Sequence, residues 1–374
     1  MSEIQDTVVI GRDGLNALIA ALRADGYQVI GPRRAGAAIV LEPLESGDEL
    51  PAGCSDEQDG GRYRLVEGEA GRLFDYVVGP HAWKRWLYPP EQRLFRARRG
   101  DGGFTVEAGD GTVPRYALFG VRSCDLAAIR VQDRVFDNGD FADPGYVARR
   151  SAAFIVVVNC ARAAGTCFCT SMGTGPRADG GYDLALTELG DGGEFLLEAD
   201  GDRGCAALAA ASGRPAGPVD LDAARAATER AVGQIKRSMV PDVEQLLKRN
   251  LESPHWERVA QRCLGCTNCT MVCPTCFCTT MVDTTDLSGD TAERWRKWDS
   301  CFGLDFSYIH GGSIRRETAS RYRQWMTHKL SHWHDQFGVS GCVGCGRCIA
   351  WCPVGIDITE EARAIADAGS EGRT

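Results

Sequence analysis

No stretch of this 374-residue sequence approaches the length of a membrane span. The best apolar run, Phe154 to Val158, is strand-sized, whereas a helix needs about 20 apolar residues to cross a bilayer. A basic field is missing too. The formal charge is -9 and the pI near 5.3, which argues against nucleic acid and anionic lipid as partners. No Gly-x-Gly-x-x-Gly follows a predicted strand, and there is no P-loop lysine motif, so neither common nucleotide site is expected. A nicotinamide or flavin that exchanges electrons with this chain therefore belongs on another one. The start, Met1 to Val8, lacks the basic and apolar regions of a secretory signal, so a reducing cytoplasm is expected.

Cysteine, by contrast, is abundant: the chain has 17. In a reducing compartment they read as ligands rather than as disulfides. Two runs stand out, Cys263-x-x-Cys266-x-x-Cys269-x-x-x-Cys273-Pro274 and Cys342-x-x-Cys345-x-x-Cys348-x-x-x-Cys352-Pro353. This is the spacing of bacterial two-cluster ferredoxins, in which three close thiolates take three corners of one cubane and the fourth reaches the other cluster. The expected sets are Cys263, Cys266, Cys269 and Cys352 for the first 4Fe-4S cluster, and Cys342, Cys345, Cys348 and Cys273 for the second. Structural zinc commonly takes two separated Cys-x-x-Cys pairs for one ion, which is not the pattern here. Gly265, Gly344 and Gly346 should let backbone amides approach the cluster sulfurs.

Nine cysteines lie outside the two runs. Thr166-Cys167-Phe168-Cys169-Thr170 recurs as Thr275-Cys276-Phe277-Cys278-Thr279. In an extended strand, residues two apart share a face, so both thiols of a Cys-x-Cys would reach one site. Cys124 and Cys160 each follow a predicted buried strand, where α/β sheets present groups to a crevice. Two readings of Cys124, Cys160, Cys167 and Cys169 stand side by side: a third 4Fe-4S cluster, or buried inert thiols. Cys276, Cys278 and Cys301 make a further group of three, which would need a ligand such as Asp299 or His310. Cys54 and Cys205 read as unligated.

The expected fold class is α+β. Residues 1–218 should form an N-terminal α/β domain. In it, Val8–Ile10 leads into a helix through Leu15, Leu18, Ile19 and Leu22, a further apolar run follows at Ala37–Leu41, and Tyr116–Val121, Leu126–Phe136 and Phe154–Val158 alternate strand, helix, strand. The aromatics from Leu73 to Phe95 surround Pro80, Pro89 and Pro90 and read as irregular packing. Residues 219–374 should hold a helical pair broken at Pro241, then the two-cluster ferredoxin-like module with an insertion at 274–341. Tyr322, Trp325, Met326, Leu330, Trp333 and Phe337 share one face of a long helix in that insertion. His328, His332 and His334 mostly fall off that face and read as surface residues.

Gly120-Val121-Arg122-Ser123-Cys124-Asp125-Leu126-Ala127-Ala128-Ile129, Cys167-Phe168-Cys169 and Cys273-Pro274-Thr275-Cys276-Phe277-Cys278 resemble the beta subunit of cytoplasmic sulfhydrogenases (hydrogenase/sulfur reductase) and the related A subunit of anaerobic sulfite reductase. Trp298-Asp299-Ser300-Cys301-Phe302 and Arg321-Tyr322-Arg323 are similar too. The resemblance implies an electron-transfer subunit of a soluble complex that binds no substrate itself. It would link a flavin subunit handling NAD(P)H to nickel-iron hydrogenase small and large subunits or, in the sulfite reductase branch, to a siroheme subunit. A reading from another class is a stand-alone cluster-dependent reductase using Arg122, Lys84 or His310. Arg122 itself would either bind an anion or pair with a carboxylate such as Asp125.

Overall fold

The computed structural model describes residues 7–109 and 112–371. An eight-stranded mixed sheet organises the first half of the chain. Its spatial order is Arg214–Pro215, Thr7–Gly11, Glu194–Ala199, Leu184–Leu189, Phe154–Val158, Tyr116–Val121, Gln28–Ala35, Ala38–Pro43. The four strands from Leu184–Leu189 to Gln28–Ala35 in that order run parallel, and antiparallel pairs close both edges. Parallel central strands are covered on both faces, and their near-continuous apolar sequences follow from that.

One face takes helix Arg12–Ala24, whose Leu15, Leu18, Ile19 and Leu22 recur at helical spacing and pack on Phe154, Val156 and Val158. The opposite face takes Ile155 and Val157, covered by Leu126, Ile129 and Phe136 of helix Ser123–Phe136 and by Tyr146 of helix Pro144–Ala152. Along Tyr116–Val121 the alternation breaks once. Ala117 and Phe119 face the first core and Leu118 the second, but Val121 joins Leu118 because the register shifts at Gly120. That residue has φ of +96°, open to glycine at little cost, and the bulge re-aims the residues that follow it. Arg122, Ser123 and Cys124 are therefore delivered to the carboxyl edge of the sheet, with Cys160 on the neighbouring strand's end.

The expected irregular stretch ends earlier than the prolines suggested. Phe74, Tyr76, Trp83 and Tyr88 are buried as expected, but Glu91–Gly100 is a strand. It pairs with Gly103–Ala108 on one side and, with a one-residue register shift between Arg294 and Trp295, with Thr291–Trp298 on the other; Thr279–Thr285 completes the four-stranded sheet. This sheet takes strands from both sides of residue 218. The insertion at 274–341 accordingly begins as a β-hairpin and ends as a helix.

Helices Pro218–Gln234 and Val243–Arg249 form the expected pair around Pro241. The later helical run is α-helical at Thr318–Thr327, widens to a π-turn at His328–His332, and resumes at Trp333–Phe337. Its buried Tyr322, Trp325, Met326 and Leu330 join Val259, Ile349, Ala362 and Ile365 in a separate core of the C-terminal half, against which Cys263, Cys269, Cys342, Cys348 and Cys352 pack.

A buried ion pair helps to fasten the two halves. Arg347, inside the second cysteine run, donates to Asp125 at 2.7 and 3.1 Å and to the carbonyls of Gly79 and His81. Both partners are buried. Replacing Asp125 by Ala leaves a buried guanidinium without its counter-ion, which costs about 3–5 kcal/mol. Anaerobic thermal melting should show that loss, and most of it should be recovered in the apolar double variant Asp125→Leu/Arg347→Met. A loss for Asp125→Ala below about 1 kcal/mol, the size of an exposed pair, would mean that the two carbonyls alone hold the arginine.

Candidate metal centres

The first cysteine run leaves helix His255–Ala260 through a tight loop, in which the Cys263 N–H bonds the Val259 carbonyl at 3.1 Å. Gly265 and Thr267 both sit at positive φ, 61° and 70°, so the loop curls back on itself before the short helix Asn268–Met271. The curl gathers Cys263, Cys266 and Cys269 on one cavity, and Cys352 reaches it from the end of the second run. Phe302, Tyr322, Trp325, Ile356 and Ile358 wall it with apolar surface. Two amides point at its sulfurs: Gly265 N–H at Cys263, and Ile356 N–H at Cys352 at 3.3 Å. Cys266 is the exposed member, with Leu264 exposed beside it.

Around the second run, Cys342, Cys345, Cys348 and Cys273 lie close enough for each of the first three to feel the charge of the fourth. The Gly344 amide is directed at Cys342 and the Arg347 amide at Cys345. Gly344 thus does what its sequence position suggested. Gly346 does something else: a Cβ there would lie 2.4 Å from the Thr166 carbonyl oxygen, and one on Gly344 would lie 2.6 Å from Cys169 Cα. Both glycines, at φ of +66° and +76°, let the loop press on the 166–169 segment, where Phe168 N–H bonds the Gly344 carbonyl at 2.9 Å.

That contact brings in the third group. Cys124, in the first turn of helix Ser123–Phe136, shares one cavity with Cys160, Cys167 and Cys169, and Cys345 also lines it. The four thiols expected to act together are together. Their backbone is not the expected extended strand: residues 165–166 form a turn, 167–168 are irregular and Cys169 opens a short 3-10 helix, Cys169–Met172. Cys276–Cys278 is likewise irregular and precedes strand Thr279–Thr285. Strand geometry at these thiols needs a ladder partner, and residues 166–169 instead press their backbone on Gly344 and Gly346. In both copies of the pentapeptide the leading threonine is fully buried, Thr166 bonding Gln58 and Thr275 bonding the Gly341 carbonyl.

Arg122 does not pair with Asp125, which is taken by Arg347. Its guanidinium donates to the Phe74 and Tyr76 carbonyls at 3.1 and 2.7 Å and lies 3.9 Å from Cys160 Sγ. Lys84 is buried, donates to the Cys276 carbonyl at 2.8 Å and lies over the Trp298 ring. His310 is exposed in a two-residue-strand hairpin, and the Asp299 carboxylate accepts from the Ser300 N–H.

One residue escaped the sequence reading. Lys329, buried within the π-turn, donates to Cys273 Sγ at 3.3 Å, to Thr275 Oγ1 at 3.1 Å and to the Gly341 carbonyl at 3.3 Å. Its signal was present: position 329 continues the stripe of Trp325, Met326, Leu330 and Trp333, and a lysine there has to be buried.

Burial pushes the Cys169 and Cys342 thiols up to about 12 and raises Cys124, Cys160, Cys167, Cys345 and Cys348 as well. Such thiols are inert alone, and only a bound cation makes their thiolate form favourable. Among the described residues no three His, Cys, Asp or Glu groups converge as they would on a single ion. Cavities rimmed by four separated thiols, with amides aimed at sulfur and apolar walls, fit a multi-iron cluster.

Residues 262–356 match the family described as 4Fe-4S dicluster domain. Over 278 residues the chain is 33% identical to "Sulfhydrogenase 2 subunit beta" of Pyrococcus furiosus, covering 73% of this chain and 79% of that one. No solved structure matches it. A likeness of that extent, joined to two cysteine runs folded against one another, places the chain in the sulfhydrogenase beta-subunit family, as an iron-sulfur electron-transfer subunit with two 4Fe-4S clusters.

Proposed function

We propose that the chain carries electrons along three cluster sites in a row and so joins two partner subunits of one oxidoreductase complex. The observation that carries this is the adjacency of the thiol groups. Cys348 both feels Cys269 and lines the first cavity, and Cys345 lines the cavity of Cys124, Cys160, Cys167 and Cys169. In this reading Cys263, Cys266, Cys269 and Cys352 hold the first cluster, and Cys342, Cys345, Cys348 and Cys273 the second. Cys124, Cys160, Cys167 and Cys169 hold a third. Each cluster, when bound, supplies one-electron chemistry at a potential set by its surroundings.

The chain's own residues tune and insulate those sites. Lys329 places a buried positive charge against Cys273, which favours the reduced, more negative state of the second site. Arg122 does the same beside Cys160. Exposed Cys266 and Leu264 make the first site the one that meets a partner's surface. By the name of its relative, the complex is of sulfhydrogenase type. Its other members would be a flavin subunit handling NAD(P)H and nickel-iron hydrogenase small and large subunits. No helix among the described residues is long and apolar enough to cross a membrane.

Anaerobic purification of the chain with its neighbours tests the partner assignment: a flavoprotein and a nickel protein should accompany it, whereas a siroheme protein in their place would overturn it. Crossed ligation makes a second expectation. Cys273→Ala should weaken the electron paramagnetic resonance signal of the second cluster and leave the first intact, although Cys273 belongs to the first run. Loss of the first cluster with the second unchanged would reverse the assignment. For the third site, Cys167→Ser/Cys169→Ser should lower iron by about four per chain, the content of one cubane. Unchanged iron in a folded variant would return these four to the status of buried thiols.

A further inference from the structure

Cys276, Cys278 and Cys301 remain outside the three sites, and the fold brings them together. Cys276 and Cys278 come from the second copy of the Thr-Cys-Phe-Cys-Thr pentapeptide. Cys301 follows strand Thr291–Trp298, which is the hairpin partner of Thr279–Thr285. The pairing of Thr279 with Trp298, continued by the Asp299 N–H to the Cys278 carbonyl at 2.8 Å, sets Cys301 beside Cys278. Their thiols interact, and the Cys301 N–H is also directed at Cys278 Sγ.

The charge of Lys84 is not accounted for by the three sites above. Lys84 and Lys329 are both buried, and among the described residues neither meets a carboxylate at ion-pair distance. Buried ammonium groups without counter-charge are strongly unfavourable. Lys329 has Cys273 of the second site. Among the described residues Lys84 has only the Cys276 carbonyl and the face of Trp298, and the nearest groups able to become anionic are the thiols of Cys276, Cys273 and Cys278. The site thus resembles the third one in construction. An irregular Cys-Phe-Cys segment, with its threonine buried, is met by a cysteine from beyond a neighbouring strand end, and a buried cation stands by, as Arg122 does beside Cys160.

We propose that Cys276, Cys278 and Cys301 bind a further iron-sulfur cluster through three thiolates, with Lys84 and Lys329 as its buried counter-charges. It lies beside both ferredoxin-type sites, since Cys276 contacts Cys273 of the second and Cys301 feels Cys269 of the first. The relay then branches at its centre. With Cys273 committed to the second site, one iron of this cluster lacks a cysteine ligand and is open to a small exogenous one.

The test uses the full chain, reconstituted anaerobically with ferrous iron and sulfide. With all four sites filled, iron should approach about sixteen per chain. Cys278→Ser/Cys301→Ser should lose about four of these, and combining it with Cys167→Ser/Cys169→Ser should lose about eight. The two losses are independent, so failure of the third site would leave this one readable. Mössbauer spectra of the wild type should contain an iron with non-thiolate coordination, absent from Cys278→Ser/Cys301→Ser. Should that variant fail to fold, iodoacetamide labelling of the loaded wild type decides. Cys276, Cys278 and Cys301 should be protected until the iron is stripped and should react afterwards. Unchanged iron in the folded variant, or alkylation of these three thiols in the loaded protein, overturns the proposal.

Discussion

The buried pair between Arg347 and Asp125 is the constraint on which the arrangement of sites depends. Arg347 lies between Cys345 and Cys348, and Asp125 directly follows Cys124, so one bidentate contact fixes the second cysteine run against the sheet edge that carries the third thiol group. A buried pair is weak evidence for stability, because desolvating both charges offsets much of their attraction. What it supplies here is registration. The planar guanidinium accepts one approach, and two further donors are taken by the Gly79 and His81 carbonyls. Gly344 and Gly346 then permit a backbone approach to residues 166–169 that any side chain would block.

From that contact follows the electrostatic character of the whole region. Many thiols share a small volume, and burial disfavours every one of their charged forms. The chain answers with cations held away from carboxylates: Arg122 at Cys160, Lys329 at Cys273, Lys84 at the Cys276 carbonyl. Amides of Gly265, Gly344, Arg347 and Ile356 add directed dipoles to sulfur. Hydrogen bonds and charge of this kind are the protein's means of setting cluster potentials.

How much of this could be read in advance depended on distance along the chain. The cysteine runs were legible because their ligand geometry is written in spacings of two and three residues. Of the four parallel strands, Tyr116–Val121 and Phe154–Val158 were legible as apolar runs and helix Arg12–Ala24 from its periodicity, whereas Gln28–Ala35 and Leu184–Leu189 were not. The strand Glu91–Gly100 was not, since its long-range partner, Thr291–Trp298, lies about two hundred residues away and prolines precede it. Arg122 was expected to find an anion or a carboxylate, and finds carbonyls, because the bulge at Gly120 turns it toward Phe74 and Tyr76. Lys329 was missed although it interrupts an apolar stripe. A charged residue at a buried helical position is itself a signal that something anionic lies opposite, and here the thiols of the second site do.

We propose that cubane clusters occupy cysteine sets from both halves of the chain. Anomalous diffraction from anaerobic crystals, recorded at the iron and zinc absorption edges, tests it most directly. Iron peaks are expected within the Cys263, Cys266, Cys269, Cys352 set and the Cys342, Cys345, Cys348, Cys273 set, with a third between Cys124, Cys160, Cys167 and Cys169. Zinc peaks at the two ferredoxin-type sets, or no iron at the sheet edge of the α/β domain, would contradict it.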